Sequence, residues 1–265
     1  AKPFHWVCKN PDPKALPTGT CGGKNGYRFS VLTGTIFQDT KKPLLVWFKV
    51  GYLMLTAKKG VSALQIHRVI FGEDSGSDYR TSWYLCMRWR AAMRGDAFPL
   101  TGIVEIDETY VGGKDKNRHA HKKSGGSGPH SGKVGVIGAI ARKGNVVCEV
   151  IEGLDYETTK SFVDRTVSET VNLVATDDAP VYSMLQYGPL SQHESVNHSE
   201  HEYVRGLVHT SSIDGFWSLV KRGIMGQYHH VSKKYLPLYL NEFSFRHNQR
   251  KSVDAFATMM ETCGS

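Results

Sequence analysis

Residues 102–113 run Gly102-Ile-Val-Glu-Ile-Asp-Glu-Thr-Tyr-Val-Gly-Gly113, a β-branched and aromatic segment with glycine at each end. Such side chains suit a pleated, half-buried surface and the glycines mark its limits, so a strand is expected. Side chains alternate between the faces of a strand. Asp107 therefore shares a face with Glu105 and Thr109, and Glu108 points the other way.

Downstream of this strand the pattern alternates. Residues 114–132 (KDKNRHAHKKSGGSGPHSG) are basic and rich in Gly and Ser, and read as a loop that is either simply solvated or in contact with a nucleic-acid backbone. Lys133–Ala141 and Asn145–Ile151 read as two strands joined in a hairpin around Arg142-Lys-Gly-Asn145. Asp155 is placed to cap a helix through Phe162, Val163 and Val167. Asn172-Leu-Val-Ala-Thr-Asp-Asp178 has the form of a buried strand ending in carboxylates. Strand, hairpin, helix, strand and helix in that order predict an α/β fold, a mixed sheet with flanking helices.

A third acidic position lies in Ser211-Ser-Ile-Asp-Gly-Phe-Trp-Ser-Leu-Val-Lys221. Ile213, Phe216, Trp217 and Val220 form one apolar helical stripe. Asp214, Ser218 and Lys221 lie on a neighbouring face, so a carboxylate and an ammonium are presented together. Asp107, Asp177 and Asp214 are thus candidates to converge from two strands and a helix. Two divalent ions about 4 Å apart can activate an attacking oxygen and stabilise a leaving one at a phosphodiester. Mg²⁺ is hard and takes carboxylate oxygens together with water and phosphate. Each acid also has a plainer reading: Ser211-x-x-Asp214 is a helix capping box, Asp177-Asp178 precedes Ala-Pro180 as a cap would, and Asp107-Glu108 would suit a surface.

Upstream, residues 43–98 read as helical. Leu44–Ala57, Ser62–Phe71 and Thr81–Met93 carry apolar residues at helical spacing, and Arg88, Arg90 and Arg94 lie on or next to the third segment. Three helices with a basic last member fit either a helix-turn-helix DNA reader or an ordinary packing unit.

The composition agrees with a soluble, polyanion-binding protein. The 265 residues are 40% hydrophobic and 22% charged, with a formal net charge of +8 and a pI of about 9.2. A basic excess favours phosphate-rich partners through counterion release. No apolar run reaches membrane-spanning length, the first residues lack the apolar core of a signal peptide, and the five dispersed cysteines do not read as a disulfide framework. A reducing, cytoplasmic setting is expected.

Several long motifs resemble one family. Val104-Glu-Ile-Asp-Glu-Thr-Tyr-Val-Gly-Gly-Lys114 is similar to the first motif of ISXO2-like insertion-sequence transposases, relatives of the Merlin elements. Val208-His-Thr-Ser-Ser-Ile-Asp-Gly-Phe-Trp-Ser-Leu-Val-Lys-Arg-Gly223, leading into Gln227-Tyr-His-His-Val-Ser232, is similar to the last. Phe29-Ser-Val-Leu-Thr-Gly-Thr-Ile-Phe37 and Ala57-Lys-Lys-Gly-Val-Ser62 match upstream. The resemblance implies a DDE-type transposase with a ribonuclease-H-like catalytic domain that uses Mg²⁺ (or Mn²⁺) to cut at element ends and join them to target DNA. It places Asp107, Asp177 and Asp214 as metal-holding catalytic acids and Lys221 as the downstream lysine. Lys221 and Arg222, with Arg88, Arg90 and Arg94 in the helical part, would contact DNA. Double-stranded DNA, both terminal repeats and target, would be the partner of a homo-oligomer.

Two departures from the family pattern carry consequences. Ser211 stands where the family usually has Asn and Asp214 where it has Glu, so the two compete for the third metal position. Asp214 is favoured as an anionic ligand. The family's front-end zinc ribbon is reduced to Cys8 and Cys21 with His5 nearby, short of the four ligands of a structural site, so no zinc is expected. The same residues also suit a DNA-binding protein without catalysis, or a metal-dependent nuclease of the same fold. The implied organisation is a remnant ribbon-like segment (1–42), a helical DNA-binding domain (43–98), a catalytic domain (99–255) and a C-terminal tail (256–265).

Overall fold

A computed structural model describes residues 5–8, 27–72, 76–95, 99–113, 131–183, 193–196 and 208–264. The basic loop at 114–130 and Cys21 lie outside these residues.

The expected strand is β3 (Ile103–Val111); β1 (His5–Cys8) and β2 (Tyr27–Ser30) precede it as a separate antiparallel pair. β3 pairs antiparallel with β4 (Val134–Ala141), and β4 pairs antiparallel with β5 (Val146–Ile151). Their hairpin closes where expected, with Lys143 at a φ of 60° in the left-handed region. α4 (Tyr156–Thr166) then crosses the sheet, its start capped by the Asp155 carboxylate, which accepts from the Thr158 amide at 2.9 Å. This crossover returns the chain as β6 (Leu173–Asp177), parallel to β3 on the side away from β4. β7 (His193–Val196) adds in parallel at the edge, giving the order β5-β4-β3-β6-β7. The five-stranded mixed sheet with flanking helices is compatible with a ribonuclease-H-like fold.

The alternation in β3 divides the core. Val104 and Ile106 face α4 with Phe162, Val163 and Val174. Val111 faces the other way, where α6 (Ser211–Gly223) and α7 (Leu236–Asn248) cover Val136, Ile140 and Val146. The predicted stripe of α6, Ile213, Phe216, Trp217 and Val220, is buried there. Gly138 on β4 makes this approach possible. A Cβ at that position would sit 2.6 Å from the Trp217 ring, so glycine lets the indole lie on the sheet beside Asp107, the cross-strand partner of Gly138.

The helical region forms as α1 (Leu44–Thr56), α2 (Ala63–Ile70) and α3 (Tyr79–Ala92). It is continuous with the rest of the molecule. Trp47, Trp89 and Phe37 share one core with Phe245 of α7 and with Met259 and Cys263. The segment expected to be a tail thus contains α8 (Ala255–Glu261) and a final 3₁₀ turn packed into that core. α3 lies inside this unit, with seven of its side chains buried, among them Leu85, Trp89 and Arg90. Tyr79, Arg80, Tyr84 and Ala91 remain exposed on it.

Candidate active site

β3 and β6 run parallel in the register Ile103↔Leu173, Val104↔Val174 and Glu105↔Ala175. Two positions further along both strands come Asp107 and Asp177, on the same face of the sheet. α6 crosses that face with Asp214 in its first turn. Asp107 feels the charges of the other two. Burial pushes the Asp107 carboxyl up to about 7, and the charges of Glu108, Asp214 and Asp177 add to the shift. Glu108 belongs to the opposite face, as expected, and accepts a hydrogen bond from the buried Tyr182 hydroxyl at 2.7 Å. The neighbouring Asp177 carboxylate accepts from the Ala179 amide at 3.2 Å, so it also shapes the turn into α5 (Pro180–Ser183).

The residue that holds α6 in place was not singled out from the sequence. Glu105 is 0% exposed. It accepts from the Ser212 amide at 2.7 Å, the Ile213 amide at 3.1 Å and the Ser212 hydroxyl at 3.0 Å. The Arg142 guanidinium donates to the same carboxylate at 2.6 Å and to the His209 carbonyl at 3.0 Å. The helix consequently has no local side-chain cap. Thr210 occupies the N-cap without such a bond, and its hydroxyl donates to Asp214 at 3.2 Å instead. The plainer reading of Ser211 and Asp214 as a capping box is not realised; the Ser211 hydroxyl lies 2.8 Å from His209 Nδ1. The available signal was a glutamate at alternate spacing from Asp107 on the strand face that turns inward.

Lys221 and Arg222 are exposed on α6 beyond Asp214 and Ser218, on the solvent side of the helix. In the helical region Arg90 differs from expectation. Arg90 is 1% exposed, donates to Glu242 of α7 at 2.7 Å, and stacks over Tyr239 with its guanidinium 4.0 Å from the ring centroid. It cannot reach a phosphate, which corrects its assignment to DNA. Arg88 donates to the carbonyls of Ile36 and Thr35 at 3.0 and 3.2 Å, securing the turn between β2 and α1. Of the three, Arg94 is the one exposed. Cys8 ends β1, and with Cys21 undescribed the front-end segment shows no ligand set either way. His193 pairs with the Thr176 hydroxyl at 2.9 Å inside the sheet edge, a structural role.

Among the described residues no three His, Cys, Asp or Glu side chains are gathered as a ready metal cage. The donor set nonetheless fits a hard cation, which typically takes one or two carboxylates and completes its shell with water and substrate phosphate. A carboxyl held near 7 by burial and surrounding negative charge is the kind of ligand that a divalent ion would ionise.

The mixed α/β sheet carries Asp107 in the middle of β3 and Asp177 at the end of β6, with Asp214 on the helix that crosses the same face. Residues 99–248, more than half of the chain, match the model of the ISXO2-like transposase domain, and the chain belongs to that family. A relative in Halobacterium salinarum, described as an uncharacterized protein in transposable element ISH50, is 26% identical over 246 residues, covering 88% of this chain and 80% of that protein. Family and relative together support a transposase role.

Proposed function

We propose that the chain is a DDE-type transposase of an insertion sequence that cleaves DNA at the ends of its element and joins the freed ends to target DNA. The observation that supports this reading is that Asp177, in register beside Asp107, and Asp214, on the helix over that face, both act on the Asp107 carboxyl in a chain of this family. These three carboxylates would hold Mg²⁺ or Mn²⁺. Such an ion supplies positive charge to the attacking and leaving oxygens of a phosphodiester. Lys221, two turns beyond Asp214 on the same exposed side of α6, and the adjacent Arg222 supply cations for the phosphates of double-stranded DNA. Hydrolysis at the element end breaks one P–O bond and leaves a 3′-hydroxyl. That oxygen then forms a P–O bond in the target and displaces a target oxygen. One phosphodiester replaces another, so the joining step needs no nucleotide cofactor. Two ends must be held together, which calls for a homo-oligomer on DNA.

The test is a cleavage and strand-transfer assay on duplexes carrying the element's ends, with Mg²⁺ or Mn²⁺. The unaltered chain is expected to give cut and joined products, and Asp107→Ala to lose both while still binding the ends. Undiminished cleavage by Asp107→Ala would reject the assignment. A second reading, a DNA-binding protein that has lost catalysis, draws on Asp214 being one methylene shorter than the family's Glu and on the absence of a ready cage among the described residues. End binding without any product in Mn²⁺ would favour it, and cut but unjoined DNA would point to a nuclease.

A further inference from the structure

We propose that Glu105 is a positioning residue that sets the distance between Asp107 and Asp214; this rests on the transposase reading above. Glu105 precedes Asp107 by two residues on the same face of β3, and its partners Ser212 and Ile213 immediately precede Asp214 on α6. The clamp therefore joins the two elements within two residues of an acid on each side, which leaves little slack between the acids. Helix N-termini usually satisfy their free N–H groups with a local Ser, Thr, Asp or Asn. Here a strand carboxylate that is 0% exposed takes that place, and a local cap would not tie the helix to β3. Burying a carboxylate is costly unless it is paired. Arg142 provides the pairing, and by also holding the His209 carbonyl it secures the chain as it enters α6. The positive end of the helix dipole adds to the pairing. His209 approaches the same carboxylate at 3.4 Å through Nδ1, the nitrogen that also faces Ser211. A serine–histidine–carboxylate relay needs the two partners on different ring nitrogens, so with both on Nδ1 the cluster positions α6 rather than relaying a proton.

The experiment compares the unaltered full-length chain with Glu105→Gln, Ser212→Ala and Arg142→Gln by two readouts. Hydrogen–deuterium exchange across 211–217 is expected to quicken in Glu105→Gln while β3 and β4 stay protected. The Mn²⁺ concentration for half-maximal cleavage is expected to rise, with activity at fixed Mn²⁺ falling roughly 10–100-fold, the usual effect of removing an outer partner of a metal-holding group. Thermal melting should remain cooperative and end binding unchanged. Faster exchange with an unchanged Mn²⁺ requirement would overturn the proposal, because the clamp would then be structural only; unchanged exchange would overturn it outright. Should Glu105→Gln fail to fold, the milder Ser212→Ala decides by the same two criteria. If the unaltered chain makes no product, the transposase reading fails, and exchange still decides whether Glu105 anchors α6.

Discussion

Single residues in this molecule are constrained by what they touch. Gly138 leaves room for the Trp217 ring, and a Cβ there would lie 2.6 Å from it and 3.4 Å from the Cys148 Cβ. Gly138→Ala is expected to cost about 1–3 kcal/mol in urea unfolding through overpacking, and to slow cleavage by lifting α6 away from Asp107. Cleavage at the unaltered rate would show that α6 tolerates the shift. His247 of α7 gives a pH prediction. Burial, helped by the nearby Arg250 guanidinium, lowers its pKa from 6.5 to about 4. Above about 6.5 the ring is neutral whether the chain is folded or unfolded. Below that the unfolded chain binds the proton first, so stability falls with pH until about 4, where the folded ring also protonates. Urea midpoints measured from pH 7 to pH 4 should decline less steeply in His247→Gln; identical slopes would contradict the assignment. Asp107 was readable from sequence because aspartate is disfavoured in a β-branched strand, so its presence there points to a task beyond pairing. Glu105 stood beside it with the same spacing, yet its meaning depends on Ser212 and Ile213, more than a hundred positions away.

Periodicity made some elements legible and left others hidden. The hairpin, α4, β6 and α6 formed where alternation, capping residues and apolar stripes predicted them. β7 did not stand out, because His-Glu-Ser-Val has no apolar alternation and pairs only at the sheet edge. α8 was read as a tail because seven residues are too few for a convincing stripe, although Met259 and Cys263 are buried. Arg90 shows how far local sequence can mislead. It was grouped with basic residues for DNA, but its partner Glu242 lies 152 positions away. The two readings differ in outcome. Arg90→Gln removes the charged hydrogen bond to Glu242, which keeps the Tyr228 hydroxyl at 2.9 Å and Arg246 at 3.5 Å, and should cost about 1.5–3 kcal/mol of folding stability, with end binding reduced only as far as the chain unfolds. Lys221→Ala should leave the melting temperature unchanged and weaken end binding, lowering the slope of log affinity against log salt by about 1. Melting curves and salt titrations of both variants separate a core arginine from a phosphate contact.

At the scale of the whole molecule, one continuous body joins the helical region to the sheet. The Arg90–Glu242 pair and the shared aromatic core tie α3 to α7, and α7 packs with α6 over the site face. The change of periodicity near residue 99 is visible in the sequence, while the side-chain packing across it leaves no local trace. The α/β class and the order of acids were legible because each rests on short-range pattern. The account as a whole depends on Asp107, Asp177 and Asp214 acting together on one cation site. The most direct measurement is an anomalous-scattering map of crystals of the full chain grown with Mn²⁺ and end-containing DNA. A manganese peak bonded to Asp107 and Asp177, with Asp214 at or beside it, is the predicted result; manganese bound elsewhere, with these three aspartates free of it, would contradict the account.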